Sequence, residues 1–124
     1  MLTLSALQAP NGADNSQRRF IIEVTGVVSG NYTEGGEPIH WTSLANAPGG
    51  SVLVNSINPN NPLWVEAHMG IPSANGPIYI PVLYNYATNA LQIYVSSTGD
   101  ELAAGAYSAS YTGATFYIKA EFQL

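Results

Sequence analysis

The chain contains no cysteine, and this absence removes several kinds of chemistry at once. Without a thiol the protein cannot use a thiolate nucleophile, bind a metal through thiolates or close a disulfide. A reducing compartment such as the cytosol suits such a chain, although a core of this size needs no disulfide in any compartment. At 124 residues the sequence corresponds to one domain.

Positive charge is scarce as well. Lysine and arginine together number 3 against 8 acidic residues, for a net charge of −5. The cationic side chains are Arg18, Arg19 and Lys119. Nucleic-acid binding requires several phosphates to be neutralised together, and anionic membrane surfaces attract clusters of basic residues. The sequence therefore predicts neither a nucleic-acid partner nor a membrane partner.

Long hydrophobic runs are missing too. No stretch has the roughly 20 apolar residues that a membrane-spanning helix requires. The first ten residues, MLTLSALQAP, are mildly apolar but carry no basic segment, which makes them a poor secretory signal. We therefore expect a soluble protein that is made in the cytoplasm.

Charge of either sign is low, at 9% of residues against about 25% in ordinary soluble domains. Such a surface must be covered largely by Asn, Ser, Thr, Gly and Tyr side chains. Charge normally keeps soluble proteins apart, so a neutral surface suits one that lies against other proteins.

The pattern that is present is an alternation of apolar and polar residues with a period of two, which indicates β-strands. It covers residues 19–28, 51–57, 62–69, 77–86, 90–96 and 115–124. Clusters of Gly, Pro, Asn and Ser separate these segments. We predict an all-β fold, a single antiparallel β-sandwich or jelly roll over residues 19–124. A strandless, flexible N-terminal arm of residues 1–18 would become ordered on a partner, and one helical turn would follow Asp100 and end at Gly105.

The segment GNYTEGGEPIHWT, residues 30–42, is predicted to join two strands. Val28 ends the first strand, and Ile39 and Trp41 begin the next. The Gly30-Asn31 and Gly35-Gly36 pairs would supply the positive φ angles of the reversal. Two carboxylates in the loop, Glu34 and Glu37, are then expected to be solvated.

Catalytic and metal sites find little support. A glycosidase needs two carboxyl groups held at a set distance from each other. Nothing beyond their acidity supports the candidates, which are Glu34, Glu37, Glu66, Asp100 and Glu101. Asp100 and Glu101 are adjacent, and their side chains should diverge on a turn. The histidines are His40 and His68. Glu66 and His68 share one strand face, but a third ligand is lacking, so His68 is expected to be a surface residue. We predict no catalytic residue, no metal and no cofactor.

Aromatic residues are the stronger signal. Trp64, Tyr79, Tyr94 and Tyr117 all fall on the side of their strands that faces away from the core. Such residues can anchor a protein interface, stack on sugars, or pack across strands beneath a loop. They are the candidate interface residues. Asn31 also begins a formal glycosylation sequon, which carries little weight without a secretory signal.

Two blocks of the sequence resemble a known family. VTGVVSGNYTEGGEPI, residues 24–39, resembles the front half of tailed-bacteriophage capsid decoration (cement) proteins. LQIYVSSTGDELAAGAYSA, residues 91–109, resembles their back half. The resemblance implies a non-enzymatic β-sandwich, often a homotrimer, that sits on the outside of the phage head. It also implies that the first block is a conformational signature and that Tyr107 packs before the last strand.

The neutral surface with its outward aromatic residues and the family resemblance indicate the same function. We expect a virion protein that binds the major capsid protein on the capsid exterior as a homo-oligomer, most simply a homotrimer. The alternative is a carbohydrate-binding module or a host-recognition knob of a phage fibre. An enzyme ranks behind both.

Overall fold

The computed structural model describes residues 1–6, 11–14, 19–44 and 61–123. Within them the chain forms eleven β-strands, one 3₁₀ turn and one short α-helix. The strands are β1 (Leu2–Ala6), β2 (Asn11–Asp14), β3 (Arg19–Val28), β4 (Asn31–Tyr32), β5 (Glu37–Pro38), β6 (Trp64–Ile71), β7 (Ile78–Ile80), β8 (Val82–Asn85), β9 (Ala90–Ile93), β10 (Gly105–Ala106) and β11 (Thr115–Gln123). The 3₁₀ turn is Trp41–Leu44 and the α-helix is Ala109–Thr112. The predicted all-β class is confirmed.

The largest sheet has six antiparallel strands in the order β1-β3-β11-β6-β7, and β2 also pairs with β3. β11 lies between β3 and β6 and follows the predicted alternation. Its inward residues, Phe116, Ile118, Ala120 and Phe122, are buried, whereas Tyr117 is exposed. Because successive side chains of a strand point to opposite faces, this alternation settles which face of the sheet covers the core.

Two smaller sheets contribute to the same core. One has the order β5-β9-β8 and the other pairs β10 with β4. Leu91 and Ile93 of β9 and Tyr84 of β8 are buried together with residues of the large sheet. The Trp41 ring packs edge-on against Phe122, with centroids 5.3 Å apart, and so joins the 3₁₀ turn to β11.

The prediction that residues 1–18 contain no strand is wrong. β1 pairs with β3 from Leu2 opposite Val28 to Ala6 opposite Val24. Leu2 and Leu4 pack against the core, so this part of the chain is built into the sheet. The alternation of Leu2, Thr3, Leu4 and Ser5 carries the usual strand signal over too few residues to stand out.

The single strand predicted over residues 77–86 is two strands in two sheets. β7 pairs with β6 in the large sheet, while β8 pairs with β9. Pro81 lies between them and has no N–H to donate, and its carbonyl accepts from the amide of Tyr94 at 2.9 Å. The proline therefore marks the place where the chain passes from one sheet to the other.

The helix prediction is also wrong in position. Asp100–Gly105 is not helical, and Glu101 forms an antiparallel bridge with Tyr94 instead. The α-helix lies a few residues later, at Ala109–Thr112. Trp41, predicted to begin a strand, begins the 3₁₀ turn. The predicted strand over residues 51–57 lies outside the described residues.

Candidate interaction surface and the tyrosine–carboxylate joint

The two sequence blocks that carry the family resemblance meet in space. β4 pairs with β10, with Tyr32 opposite Gly105 and Asn31 opposite Ala106. The amide of Tyr107 also donates to the carbonyl of Gly30 at 3.2 Å. We call this unit, residues 30–39 with residues 101–107, the joint.

Glu101 holds one half of the joint. Its Oε1 accepts from the hydroxyl of Tyr32 at 2.6 Å and from the amide of Gly35 at 2.7 Å. The Tyr32 oxygen in turn accepts from the amide of Ile93 at 3.2 Å. Burial, and then the hydrogen bond to Glu101, raise the pKa of Tyr32 well above its usual range. The phenol therefore stays protonated and acts as a donor to the carboxylate.

Glu37 holds the other half, and the prediction that it is solvated is wrong. It is only 3% exposed, and the hydroxyl of Tyr107 donates to its Oε1. Burial, and then the hydrogen bond to Glu37, raise the pKa of Tyr107 above its usual range. Tyr107 is itself buried, as the family resemblance implied. Glu34, on the same loop, is exposed as predicted.

Glycines turn the loop so that Glu37 points inward. Gly30, Gly35 and Gly36 all have positive φ, as predicted from the sequence. Gly36 has a φ of +117° and lies so close to β9 that an added Cβ would be 2.9 Å from the carbonyl oxygen of Leu91. Only a glycine fits there, and the next residue pairs with Leu91 as part of β5.

Sequence reasoning missed Asn89, which closes the loop from the other side. It has a φ of 55°, a conformation that asparagine adopts more readily than most residues. Its amide donates to the carbonyl of Ile39 at 2.9 Å, and its Oδ1 accepts from the indole N–H of Trp41 at 3.1 Å. Its position in the turn segment YATNA was the available signal.

The predicted interface residues divide into two groups. Trp64, Tyr79 and Tyr117 lie on one face of the six-stranded sheet, because Tyr117 pairs with His68, Tyr79 with Gly70 and Trp64 with Glu121. We call the side of this sheet that faces away from the core the outer face. Tyr94 lies in the bridge to Glu101, outside that sheet, so the structure does not bring it together with the other three.

The aromatic residues of the outer face differ in how freely they can be reached. Tyr79 is 67% exposed and Tyr117 is 45% exposed. Trp64 is half-buried, and its indole N–H donates to Glu121. The Tyr117 ring stacks on His68, with centroids 5.4 Å apart and an interplanar angle of 24°. Tyr79 and Tyr117 are thus exposed rings of the outer face, whereas the ring of Trp64 is half-buried.

A shallow cleft of about 490 Å³ lies between these two rings and the turn that follows β6. Pro72 and Pro77 line it on the turn side, and His68 lines it on the sheet side. Next to it, the ammonium of Lys119 lies 3.6 Å from Glu23. The outer face therefore combines exposed rings with a close pair of opposite charges.

His68 is exposed on β6, as predicted, and Glu66 lies two residues before it on the same strand face. Over residues 1–6, 11–14, 19–44 and 61–123, no group of three or more His, Asp and Glu side chains could hold a metal ion. Glu66 and His68 therefore have no third His, Asp or Glu side chain in position to complete a metal site within the described part of the chain.

Comparison with known proteins finds no matching family model, no matching curated protein and no matching solved structure. None of the helices in the described residues is long and apolar enough to cross a membrane.

Proposed function

We propose that this protein is a non-enzymatic decoration protein of a phage capsid, which binds the major capsid protein on the outside of the shell. The observation that carries the proposal is the pair of exposed rings, Tyr79 and Tyr117, on the outer face of a chain with only 9% charged residues. Tyrosine is enriched at the centres of protein interfaces because its rigid ring buries much area while its hydroxyl keeps a polar contact. The β-sandwich arrangement predicted for the domain belongs to the same proposal.

The joint supports the proposal in a different way. The residues that resemble the decoration family have structural tasks, since Gly30, Gly35 and Gly36 adopt positive φ and Tyr107 is buried. Residues that set the path of the backbone are the ones a structural family would share. The two blocks, far apart in sequence, form one hydrogen-bonded unit.

We further propose that the protein acts as a homo-oligomer, most simply a trimer. Linked copies that engage equivalent sites on a lattice bind far more tightly than one copy does, with gains of roughly a hundredfold or more when the geometry permits. Binding to assembled capsids should then be saturable, and binding to isolated capsid subunits should be weak. Because few charges are available, raising the salt concentration should change the affinity little.

A capsid co-sedimentation titration tests the proposal. The Tyr79→Ser and Tyr117→Ser double variant should bind mature, undecorated capsids at least tenfold more weakly than the native protein. Leu83→Ser is the matched control, because Leu83 is an exposed apolar residue of β8, in a different sheet. Failure of the native protein to sediment with capsids, or equal binding by the double variant, would contradict the proposal.

The second candidate function, carbohydrate binding, is favoured by the cleft beside His68, Tyr79 and Tyr117. Aromatic rings next to hydroxyl and imidazole groups suit the mixed apolar and polar faces of a sugar. Retention of the native protein on a polysaccharide column, lost in the same double variant and accompanied by no capsid binding, would establish this alternative.

A further inference from the structure

A groove separate from the outer face contains the buried carboxylate of Glu37. The groove has a volume of about 810 Å³ and runs between β1 and the segment of residues 29–43. Leu2, Leu4 and Pro38 supply apolar lining. Asn31 and Thr33 supply polar lining.

The two carboxylate oxygens of Glu37 differ in their hydrogen-bond partners. Oε1 accepts from the hydroxyl of Tyr107 and lies 3.2 Å from the amino group of Met1. Oε2 has no hydrogen-bond partner among the residues that the structure describes. With the side chain only 4% exposed, this oxygen has also lost most of its contact with bulk water. A buried anionic oxygen without a donor is costly, and a hydrogen-bonding cation is the group that best offsets the cost.

The N-terminal ammonium of Met1 also lines this groove and forms an ion pair with Oε1 of Glu37 at 3.2 Å, whereas Oε2 takes no part in that pair. Lys119 lies 3.6 Å from Glu23, and both line a separate depression on the outer face, beside Glu66. His40 lines the groove and is exposed. The Met1 ammonium also donates to the carbonyl of Ser29, which holds it against Oε1, so Oε2 is the oxygen left to accept from a further cation.

We propose that this groove binds a basic side chain of a protein partner, a lysine ammonium or an arginine guanidinium, with Oε2 of Glu37 as the acceptor. The apolar walls formed by Leu2, Leu4 and Pro38 pack against the methylene groups of such a side chain. The carboxylate then makes a charge-assisted hydrogen bond, which is stronger than a neutral one. A single carboxylate is too few oxygen ligands for calcium or magnesium, so an organic cation fits better than a metal. This binding site does not depend on the proposed capsid function.

An NMR titration with small cations tests the site. Butylammonium and butylguanidinium should each shift the amide signals of Asn31, Thr33 and His40 saturably, with dissociation constants in the millimolar range. Butan-1-ol, which has the same apolar stem without the charge, should not. Glu37→Gln keeps an oxygen that can accept from Tyr107 but removes the charge, and should weaken binding roughly tenfold or more. Glu34→Gln removes the same charge from an exposed residue of the same loop and should leave the affinity unchanged.

A second pair of variants tests the groove without touching Glu37. Thr33→Lys places an ammonium at the edge of the groove and should exclude both cations, whereas Thr42→Lys, which adds the same charge outside the groove, should not. If Glu37→Gln fails to fold, this pair of variants still tests whether the cations bind in the groove. The proposal is overturned if the native protein shows no saturable shift, if butan-1-ol shifts the same signals equally, or if Thr33→Lys and Thr42→Lys bind alike.

Discussion

The joint and the outer face use the same kinds of side chain for opposite purposes. In the joint, Tyr32 and Tyr107 are buried and each donates its hydroxyl to a carboxylate. On the outer face, Tyr79 and Tyr117 are exposed. A buried phenol needs an acceptor because an unpaired polar group away from water is costly, whereas an exposed phenol finds water. Tyrosine therefore stabilises the fold in one region and remains available for binding in the other.

The comparison also gives the acidic residues of the joint a structural task. Glu101 accepts from Tyr32 and Gly35, and Glu37 accepts from Tyr107. These contacts connect strands that are distant in sequence, so loss of one should lower the free energy of unfolding. Loss of an exposed ring should leave that free energy nearly unchanged.

The largest effect is expected at Gly36. Gly36→Ala combines the strain of a φ of +117° with a clash against the backbone of Leu91, and should lower the free energy of unfolding by roughly 3 kcal/mol or more. Gly35→Ala is the control, since Gly35 has a positive φ but open space around it, and should cost about 1–2 kcal/mol. Urea denaturation measures both. Equal losses would mean that the close approach to β9 contributes nothing.

A smaller effect is expected when one hydroxyl is removed from each region. Tyr32→Phe leaves Glu101 and the buried amide of Ile93 each short of a partner, and should lower the free energy of unfolding by about 1.5–3 kcal/mol. Tyr117→Phe, the same change on the outer face, should cost less than about 0.5 kcal/mol. Thermal and urea unfolding of the two variants measure these losses. If the two variants lost the same free energy of unfolding, the contrast between the joint and the outer face would be wrong.

Alkaline pH should weaken the joint. Above pH of about 10, tyrosines of the unfolded chain lose their protons. Tyr32 and Tyr107 keep theirs in the folded state because burial and the adjacent carboxylates raise each pKa. The unfolded state then binds fewer protons than the folded state, so the free energy of unfolding falls as pH rises.

The slope is expected to be close to zero at pH 8 and to approach about 1.4 kcal/mol per pH unit for each of the two tyrosines as the pH rises past 10. The stabilisation is fully present below pH 10 and declines above it. Urea titrations between pH 8 and pH 11 measure the slope, which Tyr32→Phe or Tyr107→Phe should reduce. A free energy that stays constant over this range would contradict the prediction.

The smallest effect on folding is expected on the outer face. The Tyr79→Ser and Tyr117→Ser double variant should change the free energy of unfolding by no more than about 1 kcal/mol in total, since surface substitutions are usually within about 0.5 kcal/mol each. Calorimetry on the variant used for capsid binding provides the measurement. A much larger loss would show that these rings stabilise the sheet, and any loss of capsid binding would then have a structural cause.

Much of the strand pattern could be predicted from the sequence, and its failures have physical causes. The alternation in β11 is complete because one face is buried along its described length, from Phe116 to Phe122. The chain passes from β7 to β8, and so from one sheet to another, at Pro81. The two-residue period does not reveal this break, because the alternation continues through the proline. β1 was missed because five residues carry too short a pattern.

Alternation places all four candidate interface residues on the outward side of their own strands. Only the strand pairing shows that Trp64, Tyr79 and Tyr117 share one face of a sheet and that Tyr94 lies outside it. Alternation shows which side of its own strand a residue occupies. It does not show which sheet the strand joins, since pairing depends on contacts between segments that are distant in sequence.

By itself, then, the sequence determined the all-β class, the inward and outward sides of the long strands, and the glycine positions of the loop at residues 30–36. These follow from local rules: the two-residue period of a strand and the freedom of glycine at positive φ. Only the tertiary structure decided that Glu37 is buried and that Glu101 reaches Tyr32. Whether a carboxylate is buried or solvated depends on what surrounds it. The tyrosines that donate to these two carboxylates are distant in sequence, with separations of 69 for Glu101 and Tyr32 and 70 for Glu37 and Tyr107.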